Sequence, residues 1–232
     1  MEHPLFLQLL ENLRKMRQVV VAFSGGVDSS LLAYCARRAL GTRMAALTVN
    51  TPYIPEWEIR EAIEFAKHHD IPHEVIQLPI PADISQNPPD RCYLCKKEIF
   101  QVLQRRAGEL GSATIIEGSN QDDLSDYRPG MRALKELQII SPMLDLGFTK
   151  DDIRTISREL GLSTWDKPAY ACLLSRIPYH TRITNRELKR IAGAEKVLRD
   201  LALPGSRVRS HGEIARIEVA VSHFEDVLKK NM

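Results

Sequence analysis

The sequence predicts an open parallel α/β sheet with helices on both faces, Rossmann-like, followed by a small α+β unit. Three observations predict it. Val19 to Phe23 is an unbroken apolar run, the pattern of a strand buried on both faces, and it leads through Gly25-Gly26 into a helical repeat. Strand-length and helix-length segments then alternate to about residue 160, which implies right-handed βαβ units. After residue 184 the pattern changes to one helix, two short strands and a last short helix.

Taken in order, Leu5, Phe6, Leu9, Leu10, Leu13 and Met16 recur at helical spacing and predict an amphipathic helix against the sheet. The strand Val19–Phe23 follows. Asp28 onward, with Leu31, Leu32 and Cys35 in register, is a helix that Gly41 ends. Met44–Val49 is a strand, Glu56–His68 a helix and His73–Leu78 a third strand. Pro79–Arg91 carries four prolines and is a loop long enough to be functional. Cys92 opens a helix to about Ala107, and Ala113–Glu117 is a fourth strand. Ile139–Met143 is ambiguous. Thr149-Lys150-Asp151-Asp152 reads as a capping box with Asp for Glu, starting a helix that Gly161 ends. Trp165–Ile183 is irregular. Thr184 caps a helix to about Leu201, Arg207–His211 and Ile214–Val219 are strands, and Ser222 caps a short helix. The expected division is 1–165 for the nucleotide domain, 166–183 for a hinge that also enters the active site, and 184–232 for a small α+β unit. Two strands make that unit thin, and a third, last strand is expected and missing.

Composition limits the function classes. With 32 Lys and Arg against 30 Asp and Glu, the net charge of +2 gives no case for nucleic acid. No apolar run is long enough for a membrane span, and the N-terminus lacks the features of a signal peptide, so a cytoplasmic location is expected. The four cysteines then read as thiols or metal ligands rather than disulfides.

The turn Ser24-Gly25-Gly26-Val27-Asp28-Ser29-Ser30 is the most informative stretch. Two glycines allow a tight turn and close backbone approach, and the following helix N-terminus presents amides to a multiply charged anion. Ser24, Ser29 and Ser30 add hydroxyls, and Asp28 suits a Mg²⁺ accompanying phosphates. There is no lysine after the last glycine and no G-x-G-x-x-G, so neither the Walker nor the dinucleotide pattern applies. The turn resembles the PP-loop of ATP pyrophosphatases, which implies cleavage of ATP between its α and β phosphates. Gly118 and Asp122 follow the fourth strand, where an open parallel sheet binds ligands, and are expected beside the nucleotide.

Cys92 and Cys95 form a CxxC at a helix N-terminus, where thiolate is favoured. Cys172 supplies a third sulfur. A redox pair, a zinc site completed by His69, His73 or His180, and a [4Fe-4S] cluster with one open iron all remain readings of these residues. Cys35 follows the helical apolar pattern and is expected in the core. Arg207 and Arg209 share one strand face and suit a phosphate or carboxylate, with Arg176 a weaker candidate. Glu195, Glu218 and Asp226 read as acid/base, ribose-binding or surface groups.

Together with the loop, the segments Glu117–Asp123, Asp126–Gly130, Lys167–Tyr179, Arg207–Arg209 and His211-Gly212 resemble the LarE-type ATP-dependent sulfur transferases of nickel-pincer nucleotide biosynthesis and lactate racemase maturation. The resemblance implies ATP, Mg²⁺ and the substrate pyridinium-3,5-biscarboxylic acid mononucleotide. With Cys92 and Cys95 beside Cys172, it implies the three-cysteine branch, in which a [4Fe-4S] cluster on these residues passes on sulfur, with sacrifice of Cys172 as the alternative. It also implies Arg207 and Arg209 at the substrate phosphate, Tyr93 beside its ring, Cys172 and Asp28 in catalysis, and a homo-oligomer. The sulfide source is not implied. A tRNA thiolase, an amidotransferase-like synthetase and a nucleotide-binding sensor are the rival readings.

Overall fold

The computed structural model describes residues 3–111, 114–125 and 129–229, without the side chains of 226, 228 and 229. Asp126–Arg128, the start of one segment of the family pattern, Ala113 of the fourth strand, and the side chain of Asp226 lie outside the described residues.

The first strand, β1 (Val19–Ala22), is central in a parallel sheet with β2 (Met44–Asn50), β3 (His73–Gln77) and β4 (Ile115–Ile116), in the order β3-β2-β1-β4. Its valines are buried on both faces. Val19 and Val21 join one core with Phe6, Leu9, Leu31 and Phe65, while Val20 joins a second with Phe100, Leu103 and Leu134. Each buried valine contributes on the order of 1.5 kcal/mol, so an apolar run with no polar face fits only a middle strand. The first core lies under α1 (Pro4–Arg14), α2 (Val27–Leu40), α3 (Glu56–His68) and α7 (Lys150–Glu159). The second lies under α4 (Arg91–Glu109) and α5 (Gly130–Glu136).

Ile140 resolves the ambiguous stretch: it pairs in parallel with Ile116 at the sheet edge, and the chain then forms the short α6 (Pro142–Asp145). Proline at the first helical position explains why the strand stops there. The Thr149 capping box forms as expected, with Asp152 accepting from the Thr149 backbone. Thr184 caps α8 (Asn185–Asp200). β5 (Arg207–His211) and β6 (Ile214–Glu218) form an antiparallel hairpin. The Ser222 cap is a correction: a 3-10 turn over Val221–His223 precedes α9 (Phe224–Lys229), and no side chain caps that turn.

The chain leaves β1 towards β2 and β3, then returns to the other side of β1 as β4. That reversal is a topological switch point, where the loops after neighbouring strands diverge and leave a crevice. Residues 24–26 and 117–120 occupy it. The segment expected as a hinge is firmly packed. Leu173, Leu174 and Ile177 share a core with Tyr53, Ile84, Leu188 and Ile191, so α8 is joined through it to the loops that follow β2 and β3.

Candidate active site

The loop after β1 is organised by its own hydroxyls. Ser24 N–H donates to Ser29 Oγ at 3.2 Å, Ser29 Oγ donates to Gly26 O at 3.2 Å, and the Ser24 and Ser29 hydroxyls lie 3.0 Å apart. Gly25 has φ +73°, and a Cβ there would sit 2.8 Å from that of Ala62, so conformation and space both require glycine. Gly26 is the N-cap of α2 and supplies no side-chain cap, which leaves the first-turn amides open to a ligand. Ser30 is placed otherwise than expected. It is fully buried, with a hydroxyl that has no partner among the described residues, because its helical position turns it into the core.

Gly118 seats the second loop against the first: a Cβ on it would lie 3.0 Å from the Ser29 nitrogen. Glu117 holds that loop in shape, accepting from Ser119 N–H at 3.0 Å and from Ser141 Oγ at 2.5 Å. Asp122 accepts from the Lys150 backbone N–H at 2.5 Å, so its carboxylate starts α7 rather than facing the crevice unencumbered.

Asp28 is matched by a cation. Lys150 Nζ donates to its two oxygens at 2.5 and 2.6 Å, and Asn120 Nδ2 lies 3.4 Å away. Burial pushes Asp28 above the ordinary carboxylate value, and Lys150 opposes that. The donor set fits a divalent cation, since this carboxylate already holds a positive charge on both oxygens. Lys167 anchors the opposite wall. Its ammonium donates to Gly25 O at 3.1 Å and lies 2.9 and 2.8 Å from Glu58 and Glu61. Arg199 also pairs with Glu61. A cleft of about 330 Å³ between α3 and α8 is lined by Trp57, Arg60, Glu61 and Arg199 among others, and none of the expected site residues lines it.

The three expected cysteines come within electrostatic reach of one another. Cys95 feels Cys172 and Cys92, and Cys172 feels Cys92. Tyr53 Oη lies 3.1 Å from Cys95 Sγ. The expectation of thiolate is corrected for Cys95, which burial pushes up to about 11 despite the helix N-terminus, and burial raises Cys172 as well. No three His, Cys, Asp or Glu side chains among the described residues form a group closed enough to hold a metal ion. The donor set still fits an iron-sulfur cluster in kind, with three thiols from a helix start and a facing segment. Histidine is not among them. His73 bonds Thr48 at 2.8 Å, His69 packs on Phe65, and His180 is exposed with φ 60°. Cys35 is fully buried in the core.

The arginines and Tyr93 divide. Arg176 is a correction: it is 1% exposed, and its guanidinium donates to Glu195 at 2.7 and 3.2 Å. It also reaches Ser175 Oγ at 2.7 Å and Cys172 O at 3.5 Å, so it braces the Cys172 turn instead of offering itself to a ligand. Glu195 is thereby a buried partner, not an acid/base group. Arg209 is half-buried, donating to Glu218 at 2.6 Å and Ser175 O at 2.7 Å. Arg207 shares its face of β5 and is half-buried. The Tyr93 hydroxyl donates to Glu136 at 2.7 Å, and Arg132 covers the ring at 4.6 Å.

Lys150, Tyr53 and Arg91 are the neighbours that sequence reasoning did not place in the site, while Lys167 and Asn120 lay in segments expected there without a contact assigned to them. Lys150 carried only a capping signal, and Arg91 appeared only as the end of the proline-rich loop.

Residues 4–104 match the NAD synthase family. An uncharacterised protein of Synechocystis is 43% identical over 95% of this chain and 84% of its own length. The pyridinium-3,5-bisthiocarboxylic acid mononucleotide synthase of Lactiplantibacillus plantarum is 35% identical over 96% of this chain and 82% of its own. One component of the glutamine-hydrolysing GMP synthase of Thermoplasma acidophilum is 27% identical over 63% of this chain and 52% of its own. No described helix is long and apolar enough to cross a membrane.

Proposed function

The chain belongs to the LarE-type family of ATP-dependent sulfur transferases, and on that premise we propose that it adenylates a carboxylate of pyridinium-3,5-biscarboxylic acid mononucleotide and replaces the AMP by sulfur. One observation carries the reading. Lys167 touches Gly25 of the phosphate loop, and five residues later Cys172 stands among the thiols. Five residues span at most about 18 Å, so a nucleotide-sized substrate can bridge the two places.

In this mechanism the amides of Gly26 and the first turn of α2 receive the β and γ phosphates, and Asp28 would hold, in place of Lys150, a Mg²⁺ that supplies charge neutralisation at the phosphates. A substrate carboxylate oxygen attacks the α phosphorus as the bond to pyrophosphate breaks. A carboxylate alone carries negative charge and a poor leaving group, and the acyl-adenylate removes both obstacles. Sulfur then attacks the acyl carbon, and AMP leaves with its electron pair. Arg207 and Arg209 would receive the substrate phosphate, and Tyr93 would lie beside its ring.

Cys92, Cys95 and Cys172 would hold a [4Fe-4S] cluster, which when bound supplies an iron position able to carry sulfide. Two further thiols beside Cys172 favour this over sacrifice of Cys172. The raised Cys172 also weighs against a free thiolate acting unaided. A homo-oligomer is supported by the exposed apolar side chains Ile214, Ile217, Val221 and Phe224.

The test is anaerobic incubation with Mg·ATP and the dicarboxylated pyridinium nucleotide. Pyrophosphate release that depends on the nucleotide, with sulfur appearing in the product, is expected. Pyrophosphate without sulfur transfer would point to a synthetase, and no pyrophosphate at all would end the reading. Iron and acid-labile sulfide assays on Cys→Ala variants decide between the two sulfur routes.

A further inference from the structure

Tyr53 lies in the loop after β2 and is 1% exposed. It belongs to the core that holds Leu173, Leu174 and Ile177, and Cys95 and Cys172 pack against that same core. Two polar atoms of this one residue reach the two sides of the thiol region. Its carbonyl accepts from the Leu173 N–H at 2.9 Å, next to Cys172, and its hydroxyl lies 3.1 Å from Cys95 Sγ. Cys92, by contrast, is exposed.

A phenylalanine would fill this apolar core with the same ring. A buried hydroxyl is costly unless it is bonded, and a neutral thiol is a weak partner for it. A sulfur that binds a metal has lost its proton, can only accept, and is the stronger partner. A tyrosine hydroxyl keeps its proton at neutral pH, so in that state it is the donor. We propose that Tyr53 is a positioning residue of the thiol region: its carbonyl fixes the turn that carries Cys172, and its hydroxyl donates to the Cys95 sulfur once that sulfur is a ligand. This rests on the reading of Cys92, Cys95 and Cys172 as holders of a [4Fe-4S] cluster, and adds the residue that sets two of them against each other. Donation to a ligand sulfur draws electron density from it, which favours the reduced state and raises the reduction potential.

The full chain is reconstituted anaerobically with iron and sulfide. Iron content and midpoint potential are measured for the wild type, for Tyr53→Phe, and for a chain carrying 3-fluorotyrosine in place of Tyr53. Tyr53→Phe keeps the ring and the carbonyl and removes only the hydroxyl. It is expected to retain its iron and to shift the potential down by about 59 mV, a tenfold change in a one-electron equilibrium. The fluorinated hydroxyl is a stronger donor, and with it the potential is expected to rise. A purely structural role would leave the potential of an assembled cluster where it is. A potential unmoved or raised in Tyr53→Phe, with iron at wild-type content, overturns the proposal and leaves the cluster reading standing. A wild type that binds no iron ends that reading and this inference with it. Should Tyr53→Phe lose its fold or its iron, the fluorinated chain decides, and a potential no higher than that of the wild type overturns the proposal.

Discussion

The phosphate loop and the thiol region are joined by residues 167–172, and they differ in how their polar groups are matched. At the loop, Ser24, Ser29 and the Gly26 carbonyl bond one another, Asp28 is paired with Lys150, and Lys167 is paired with Glu58 and Glu61. At the thiols, burial raises Cys95 and Cys172, and two Arg91 nitrogens have no partner among the described residues. The loop is built from backbone at the end of a central strand and is shaped before ligand arrives. The thiol region is built from side chains on a helix start and an irregular segment, and it keeps a buried cation with two nitrogens unmatched among the described residues.

The largest expected effect tests what holds the thiol region. Arg176→Met leaves Glu195 charged and buried, with the Val208 N–H as its remaining donor. Breaking such a pair costs about 3–5 kcal/mol, to be read from urea unfolding. An unchanged midpoint would mean that the Cys172 turn is held by its apolar neighbours alone.

Next is the loop. Gly25→Ala forces an alanine to φ +73° and a Cβ contact of 2.8 Å. A stability loss of about 1–3 kcal/mol is expected, with pyrophosphate release abolished. If release survived, the loop would be more pliant than the comparison holds.

Lys150→Met examines whether the cation on Asp28 takes part in turnover or only neutralises a buried carboxylate. If Lys150, once displaced from Asp28, turns to the phosphates, its loss should slow pyrophosphate release about 10- to 100-fold. A normal rate, with only a lower demand for Mg²⁺, would leave Lys150 a placeholder.

The smallest effect concerns the hairpin. Arg209, with Arg216, holds Glu218 at about 2, below its ordinary 4.5, against a small opposing push from burial. Its folded value is depressed, so its stabilisation is present above 4.5 and is lost as pH falls towards 2. In unfolding series across that window, Glu218→Gln should flatten the pH dependence slightly. An identical slope would show the pair to be solvent-screened.

Local signals in the chain were enough for the order of elements, the buried character of Val19–Val21, the helix starts at Thr149 and Thr184, and the glycine turn. These follow from spacing and backbone sterics, which act over a few residues. The sequence likewise marked Cys92, Cys95 and Cys172 as belonging together, through family pattern. It could not say that Arg176 spends its charge on Glu195, that Lys150 reaches Asp28 across 122 positions, or that Lys167 grips Gly25 across 142. Nor could it give the protonation of the thiols, because the helix start favours thiolate while burial opposes it. Such pairings depend on which side chains the packed sheet and segment bring within a few ångströms. Electrostatic energy is set by that distance and by exclusion of water, and neither is written in local order along the chain.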